Sequence, residues 1–292
     1  MKYYIVDAFT EEIFGGNTAG VVILEDGDYP SSDIMVKIAA ELRFSETVFV
    51  KKTNDETYEL RYFTPTDELD LCGHATIAAF KIIGESGKSY KAVTKAGEIN
   101  IDVKSNIILM EITTPEIIEE IESDMKWEAT RGILGITPAD ELKTGGIEEI
   151  SPAKVSVGVM DILMPVDSTD ELDSITPDTE ALKRLSERQN IVGIHAYAIT
   201  KDGDSYKIDC RNFSPLYGIP EEAATGTANG ALTYYLYQKG IIKHGVTNTF
   251  IQGTAMGKPS KIITLAEKDK KGNVTIKVGG SAAVFSRGKI TL

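Results

Sequence analysis

At 292 residues, 42% hydrophobic and 26% charged, the chain has the make-up of a soluble globular protein with room for two domains of ordinary size. Its net charge of −13 and lack of any basic cluster exclude a nucleic-acid partner. No run approaches the roughly 18 apolar residues of a membrane span, and Met1 to Asp7 lacks the apolar core of a signal peptide. With only Cys72 and Cys210, no disulfide scaffold is expected and a reducing cytoplasm is the default setting. His74, His195 and His244 are far apart and show no metal-ligand spacing, so no metal is expected.

Taken in order, strand-like runs at Tyr3 to Phe9 and Gly20 to Leu24 flank the turn Phe14-Gly15-Gly16-Asn17. Ser31 to Arg43 reads as a helix, with Ile34, Met35, Ile38, Ala39 and Leu42 on one face. A strand follows at Thr47 to Lys51 with Glu46 at its entrance, then another at Tyr58 to Phe63. Gly73 to Ile83 is a helix apolar nearly all round, which suits a helix enclosed by sheet. Strands at Lys91 to Val103 and Ile107 to Ile112 close the first half, and the acidic stretch from Pro115 to Asp124 marks the boundary. The second half runs through a strand at Val155 to Met164, a helix from about Pro177 to Gln189, and strands at Ala196 to Thr200 and Tyr206 to Phe213. A helix from Gly226 to about Gln238 comes next, then strands at Lys261 to Leu265, Asn273 to Val278 and Ala282 to Phe285.

One phrase occurs twice. Arg61-Tyr62-Phe63-Thr64-Pro65 returns 150 positions later (63 to 213) as Arg211-Asn212-Phe213-Ser214-Pro215. Gly73-His74-Ala75-Thr76 follows the first copy and Gly226-Thr227-Ala228-Asn229 the second. A repeat at fixed offset marks a duplicated unit. The expected domains are 1–118 and 125–285, with 286–292 able to cross back to the first.

Each copy ends at a helix N-terminus, whose free N–H groups and partial positive charge bind carboxylates and phosphates. Gly73 and Gly226 let a ligand approach the backbone, against the plainer reading that glycine eases tight packing there. His74, directly after the first glycine, is a candidate acid/base expected to be neutral beside a positive helix end. Glu46 sits among apolar neighbours; burial would raise its pKa toward a value at which one group both takes and returns a proton. As an exposed strand-end glutamate it would do neither. Glu221 and Glu222 precede the second helix, where an acidic residue serves as a second carboxylate or simply as a cap. Cys72 shares the first helix end, either as an activated thiol or as a buried structural cysteine. Gly84 to Ser89 and Gly253 to Lys258 imitate phosphate-binding loops but lack the required spacing, and read as turns.

The order of these motifs resembles the phenazine-biosynthesis PhzF-like family, of diaminopimelate epimerase-like fold. The resemblance runs through Asp7-Ala8-Phe9, Phe14-Gly15-Gly16-Asn17-Thr18-Ala19-Gly20-Val21, Phe44-Ser45-Glu46-Thr47 and Phe63-Thr64-Pro65. It continues in Leu69-Asp70-Leu71-Cys72-Gly73-His74-Ala75-Thr76, Ala224-Thr225-Gly226-Thr227-Ala228-Asn229-Gly230, Gln252-Gly253 and Gly279-Gly280. It implies an α+β fold of two similar domains related by a pseudo-twofold duplication. Each would be a curled mixed or antiparallel sheet (an open barrel) around a central helix, with the active site between the domains. It further implies a homodimer without metal or organic cofactor. The family's acid/base glutamate matches Glu46 and its histidine matches His74. The aspartate and serine of its usual Asp-Pro-Ala-Thr-Gly-Ser match Glu222 and Thr227, with Ala223 in place of proline. In the phenazine enzyme the glutamate moves a proton between carbons of a cyclic dihydro-hydroxyanthranilate; the extra methylene of Glu222 shifts a carboxylate by roughly an ångström and bears on substrate choice.

The expected function is therefore a cofactor-independent isomerase acting on a small carboxylate-bearing metabolite. Glu46 is the shuttle, His74 and Glu222 orient and protonate, Gly73, Gly226 and Thr227 hold the anionic group, and Asn17 adds an amide. One rival is an amino-acid or hydroxy-acid racemase with Cys72 as a base, although the second cysteine of such enzymes would fall at Thr225. The other is a catalytically silent protein that binds small acids.

Overall fold

The computed structural model describes all residues except 26, 113–114, 122–123, 137–146, 148–149, 203–204 and 269–271. Its elements run β1 (Lys2–Ala8), β2 (Asn17–Leu24), α1 (Ser32–Leu42), β3 (Thr47–Lys52), β4 (Thr57–Phe63), β5 (Glu68–Leu69), α2 (Gly73–Ile83), β6 (Ser89–Thr94), β7 (Gly97–Lys104) and β8 (Ile107–Ile112). They continue with β9 (Glu116–Glu120), α3 (Asp124–Leu134), β10 (Ala153–Ser156), β11 (Met160–Val166), α4 (Thr169–Ser174), α5 (Thr179–Gln189), β12 (Gly193–Asp202) and β13 (Ser205–Ser214). β14 (Ile219–Glu222), α6 (Gly226–Gln238), β15 (Thr247–Gln252), β16 (Ser260–Lys268), β17 (Val274–Gly280) and β18 (Ala282–Lys289) complete the chain. The fold is rich in mixed sheet and carries few helices. Two compact units divide it: Met1–Glu111 with Lys258–Lys261 and Val278–Leu292, and Ile112–Gly257 with Ile262–Lys277.

In the first unit β1 lies between β2 and β18, antiparallel to both. β2 pairs parallel with β3, β3 antiparallel with β4, and β4 antiparallel with β5 and parallel with β6. The closing segment belongs to this unit from Val278 onward, and the Met1 amino group donates to Ile290 O at 3.1 Å. In the second unit β10 and β11 are antiparallel, β11 and β12 parallel, β12 and β13 antiparallel, and β13 is antiparallel to β14 and parallel to β15. The order of pairings is the same in both units.

α2 begins and ends where its sequence pattern places it. Every residue from His74 to Phe80 is buried, because β1, β2, β3 and β18 pack around the helix and leave it no solvent face. Phe80, 1% exposed, meets the rings of Tyr58 and Tyr90 at 6.0 and 5.5 Å. Phe80→Ala should therefore cost about 3–5 kcal/mol, read as a lower urea midpoint, since the space it leaves is walled by rigid rings.

Three elements differ from the sequence expectation for local reasons. The run Lys91 to Val103 is a hairpin: Thr94 pairs with Gly97, whose φ of 118° an ordinary residue rarely adopts. The run Val155 to Met164 likewise turns back at Gly158 (φ 94°), separating β10 from β11. α5 starts two residues after Pro177, because the Asp178 side chain caps it by accepting from Ala181 N at 2.9 Å.

The doubled Arg-x-Phe phrase builds the same device twice. Arg61 donates from Nε and Nη2 to Glu68 at 2.7 and 2.9 Å and lies over the Phe63 ring. Arg211 does the same to Glu221, at 2.8 Å for both bonds, over Phe213. A forked, ring-stacked guanidinium is a rigid brace, so the turn that leads into each helix is fixed. Glu221 is thereby committed to structure.

Candidate active site

In the first unit, the start of β3 and the first turn of α2 bring three sequence-predicted residues together. Glu46 Oε2 lies 3.2 Å from His74 Nε2, and Cys72 Sγ lies 3.4 Å from His74 Nδ1. All three are buried. The backbone secures both sides: Gly20 N donates to Glu46 O at 3.1 Å, and Thr76 Oγ1 donates to Cys72 O at 2.7 Å. Thr76 Oγ1 is also 2.7 Å from the buried Tyr62 hydroxyl.

Charge within the cluster follows from that geometry. Burial alone would raise the Glu46 pKa, as expected from its neighbours in sequence, but the facing His74 and the Ser45 hydroxyl outweigh burial and the carboxyl ends below its ordinary value. Burial pulls the His74 imidazole down, yet Cys72 and Glu46 on its two sides lift it well above the usual histidine range. Burial pushes the Cys72 thiol up. Cys72 and then the Glu46 carboxylate, 3.2 Å from Nε2, favour a proton on His74. Both expectations, a raised Glu46 and a neutral His74, are corrected by the pairing of the two groups.

Glu46, Cys72 and His74 offer ligand atoms within 4.8 Å of one another. However, the sulfur faces one ring nitrogen and the carboxylate the other. Gly73 adds open space: a Cβ there would meet nothing nearer than Met110 Sδ at 3.8 Å, so packing does not require the glycine.

Elsewhere in this unit, Asn17 opens β2 opposite Ala8. In the second unit, Gly226 and Thr227 open α6, with Thr227 half-buried. Glu222 ends β14 and its Oε2 accepts from Thr225 Oγ1 at 2.6 Å. Strand register explains why only the first unit carries a buried Glu46. Thr47 pairs with Phe63 and Ile194 with Phe213, so Gly193 holds the place that Glu46 holds in the first unit. A Cβ at Gly193 would stand 1.8 Å from Phe213 O, which bars any side chain.

Sequence reasoning missed Gln252, which is 1% exposed and bonded to both Glu222 and Thr225. Its only signal was its place in the motif Gln252-Gly253.

The sequence profile described as "Phenazine biosynthesis-like protein" matches residues 6–288. The chain belongs to this family. An uncharacterized isomerase of Clostridium acetobutylicum is 34% identical, over 99% of this chain and 97% of the relative. The trans-2,3-dihydro-3-hydroxyanthranilate isomerase of Pseudomonas fluorescens is 30% identical, over 100% and 99%. The crystal structure of a Bacillus anthracis phenazine biosynthesis protein of the PhzF family superposes with a TM-score of 0.83 at 27% identity, covering 100% of this chain and 99% of that one. No helix among the described residues of this family member is long and apolar enough to cross a membrane.

Proposed function

We propose that the chain is an isomerase that moves a proton on a small carboxylate-bearing substrate without a cofactor. The observation that carries this reading is the buried Glu46–His74 pair, 3.2 Å apart at the start of α2. A carboxylate held ionised beside a protonated imidazole is set to take a proton from carbon, and the imidazolium can supply the proton that completes the transfer. Gly73 leaves room for the substrate's anionic end near the helix N–H groups, and Asn17 contributes an amide. In the second unit, Gly226 and Thr227 at the start of α6 are suited to hold an anionic group, and Glu222 to orient it. The common pairing order of the two units and their twin Arg-x-Phe braces support descent from one duplicated unit.

The test is deuterium transfer from D2O into carbon positions of trans-2,3-dihydro-3-hydroxyanthranilate, the compound named for the Pseudomonas relative, and of a panel of small cyclic carboxylic acids. Uptake into at least one supports the reading. Tight binding of an acid with no uptake would instead favour a silent binding protein.

A racemase reading with Cys72 as base is disfavoured by the raised thiol pKa. Cys72→Ser should keep deuterium transfer within about fivefold of wild type, whereas a thiolate base would lose it by about 10²-fold or more. The pH profile of kcat/KM should be bell-shaped. Its acid limb should fall below the ordinary glutamate value and its alkaline limb above the ordinary histidine value, because Glu46 must be ionised and His74 protonated.

A further inference from the structure

The turn from Glu222 to Thr225 is read from both ends by one buried amide. Gln252 Oε1 accepts from Thr225 N at 3.2 Å and from Asn229 Nδ2 at 2.8 Å. Gln252 Nε2 donates to Glu222 O at 2.9 Å and to Thr225 Oγ1 at 3.1 Å. A backbone N–H can only donate and a carbonyl can only accept, so these two contacts permit one orientation of the amide and rule out its flip. Asn229 is fixed by the same logic, since its Nδ2 donates to Thr225 O at 2.9 Å.

The consequence falls on Thr225. Its hydroxyl oxygen already receives a hydrogen from Gln252, so its own proton goes to the remaining neighbour, Glu222 Oε2, 2.6 Å away. We infer that Gln252 is a positioning residue that sets the proton order of this turn and commits Glu222 Oε2 to accept. Thr225, standing where a two-thiol racemase would place its second base, acts as a hydrogen-bond donor to the carboxylate. The inference rests on the reading of Glu222 as a substrate-orienting group.

The discriminating variant is Gln252→Glu. It keeps the shape and can still accept from Thr225 N, but above the pH at which the new carboxyl ionises it cannot donate to Glu222 O or Thr225 Oγ1, and so it frees the hydroxyl to turn away from Glu222. Deuterium transfer into the test acid should then show kcat lowered about 10- to 100-fold with KM within about threefold. Undiminished kcat in Gln252→Glu would overturn the inference.

A second readout needs no turnover. In isotope-labelled wild-type protein, NMR couplings across hydrogen bonds should link the Thr225 amide to the Gln252 side-chain carbonyl and the Thr225 hydroxyl to the Glu222 carboxyl. The second coupling should vanish in Gln252→Glu; its persistence there, or the absence of the first in wild type, contradicts the assignment. A wild-type protein that shows both couplings but no deuterium transfer sinks the isomerase reading alone.

Discussion

Glu46→Gln is expected to abolish deuterium transfer, with a loss of about 10²- to 10⁴-fold, the usual worth of a positioned proton-transfer group. The amide fills the same volume at the mouth of β3, so the variant should fold. The carboxylate, however, does two things that the amide cannot. It accepts a proton, and with Cys72 its charge favours the proton on His74, which lies 3.2 Å away. Glu46→Gln should therefore lose both limbs of the pH profile together with the rate. His74→Gln should leave Glu46 buried without its partner and give a smaller, still severe loss. Circular dichroism and the urea midpoint separate loss of chemistry from loss of fold. A rate within about tenfold of wild type in a folded Glu46→Gln protein would remove Glu46 from the mechanism.

Asp161→Asn is expected to change how the stability of the protein depends on pH. The carboxyl is 3% exposed, and burial first, then the negative charge of Glu222, raise its pKa from 3.8 to about 7. The folded chain thus binds more protons than the unfolded chain between those values. Stability is full below the unfolded pKa and is lost as pH rises through the folded one, by about 4 kcal/mol at 1.36 kcal/mol per unit. Asparagine does not ionise, so the stability of the variant relative to wild type should rise by roughly 3 kcal/mol between about pH 5 and about pH 8. Urea unfolding of the two proteins across that range checks it; parallel curves would mean that Asp161 ionises as readily folded as unfolded.

Some of this was legible in the sequence and some could not be. The bounds and burial of α2 follow from apolar residues on every side of the helix, a pattern only an enclosing sheet satisfies. The doubled Arg-x-Phe phrase could be read in the sequence, but not that each arginine grips a glutamate just past the turn, because Glu68 and Glu221 lie outside the repeated words. Glu46 and His74 were both identifiable as candidates. Their contact was not, since it depends on where β3 begins relative to α2. For that reason the direction of their protonation was misread: neighbours in sequence report burial, and only the fold reports the partner. Gln252 was invisible as an actor, because its role consists of four hydrogen bonds to residues on two other elements and the turn between them.

The most direct test of the Glu46–His74 pair is the ¹⁵N NMR spectrum of the His74 ring near pH 7.5, in wild type and in Glu46→Gln. Both ring nitrogens should carry protons in wild type, and one should lose its proton in the variant. A neutral ring in wild type, or an imidazolium that survives loss of the carboxylate, would contradict the account.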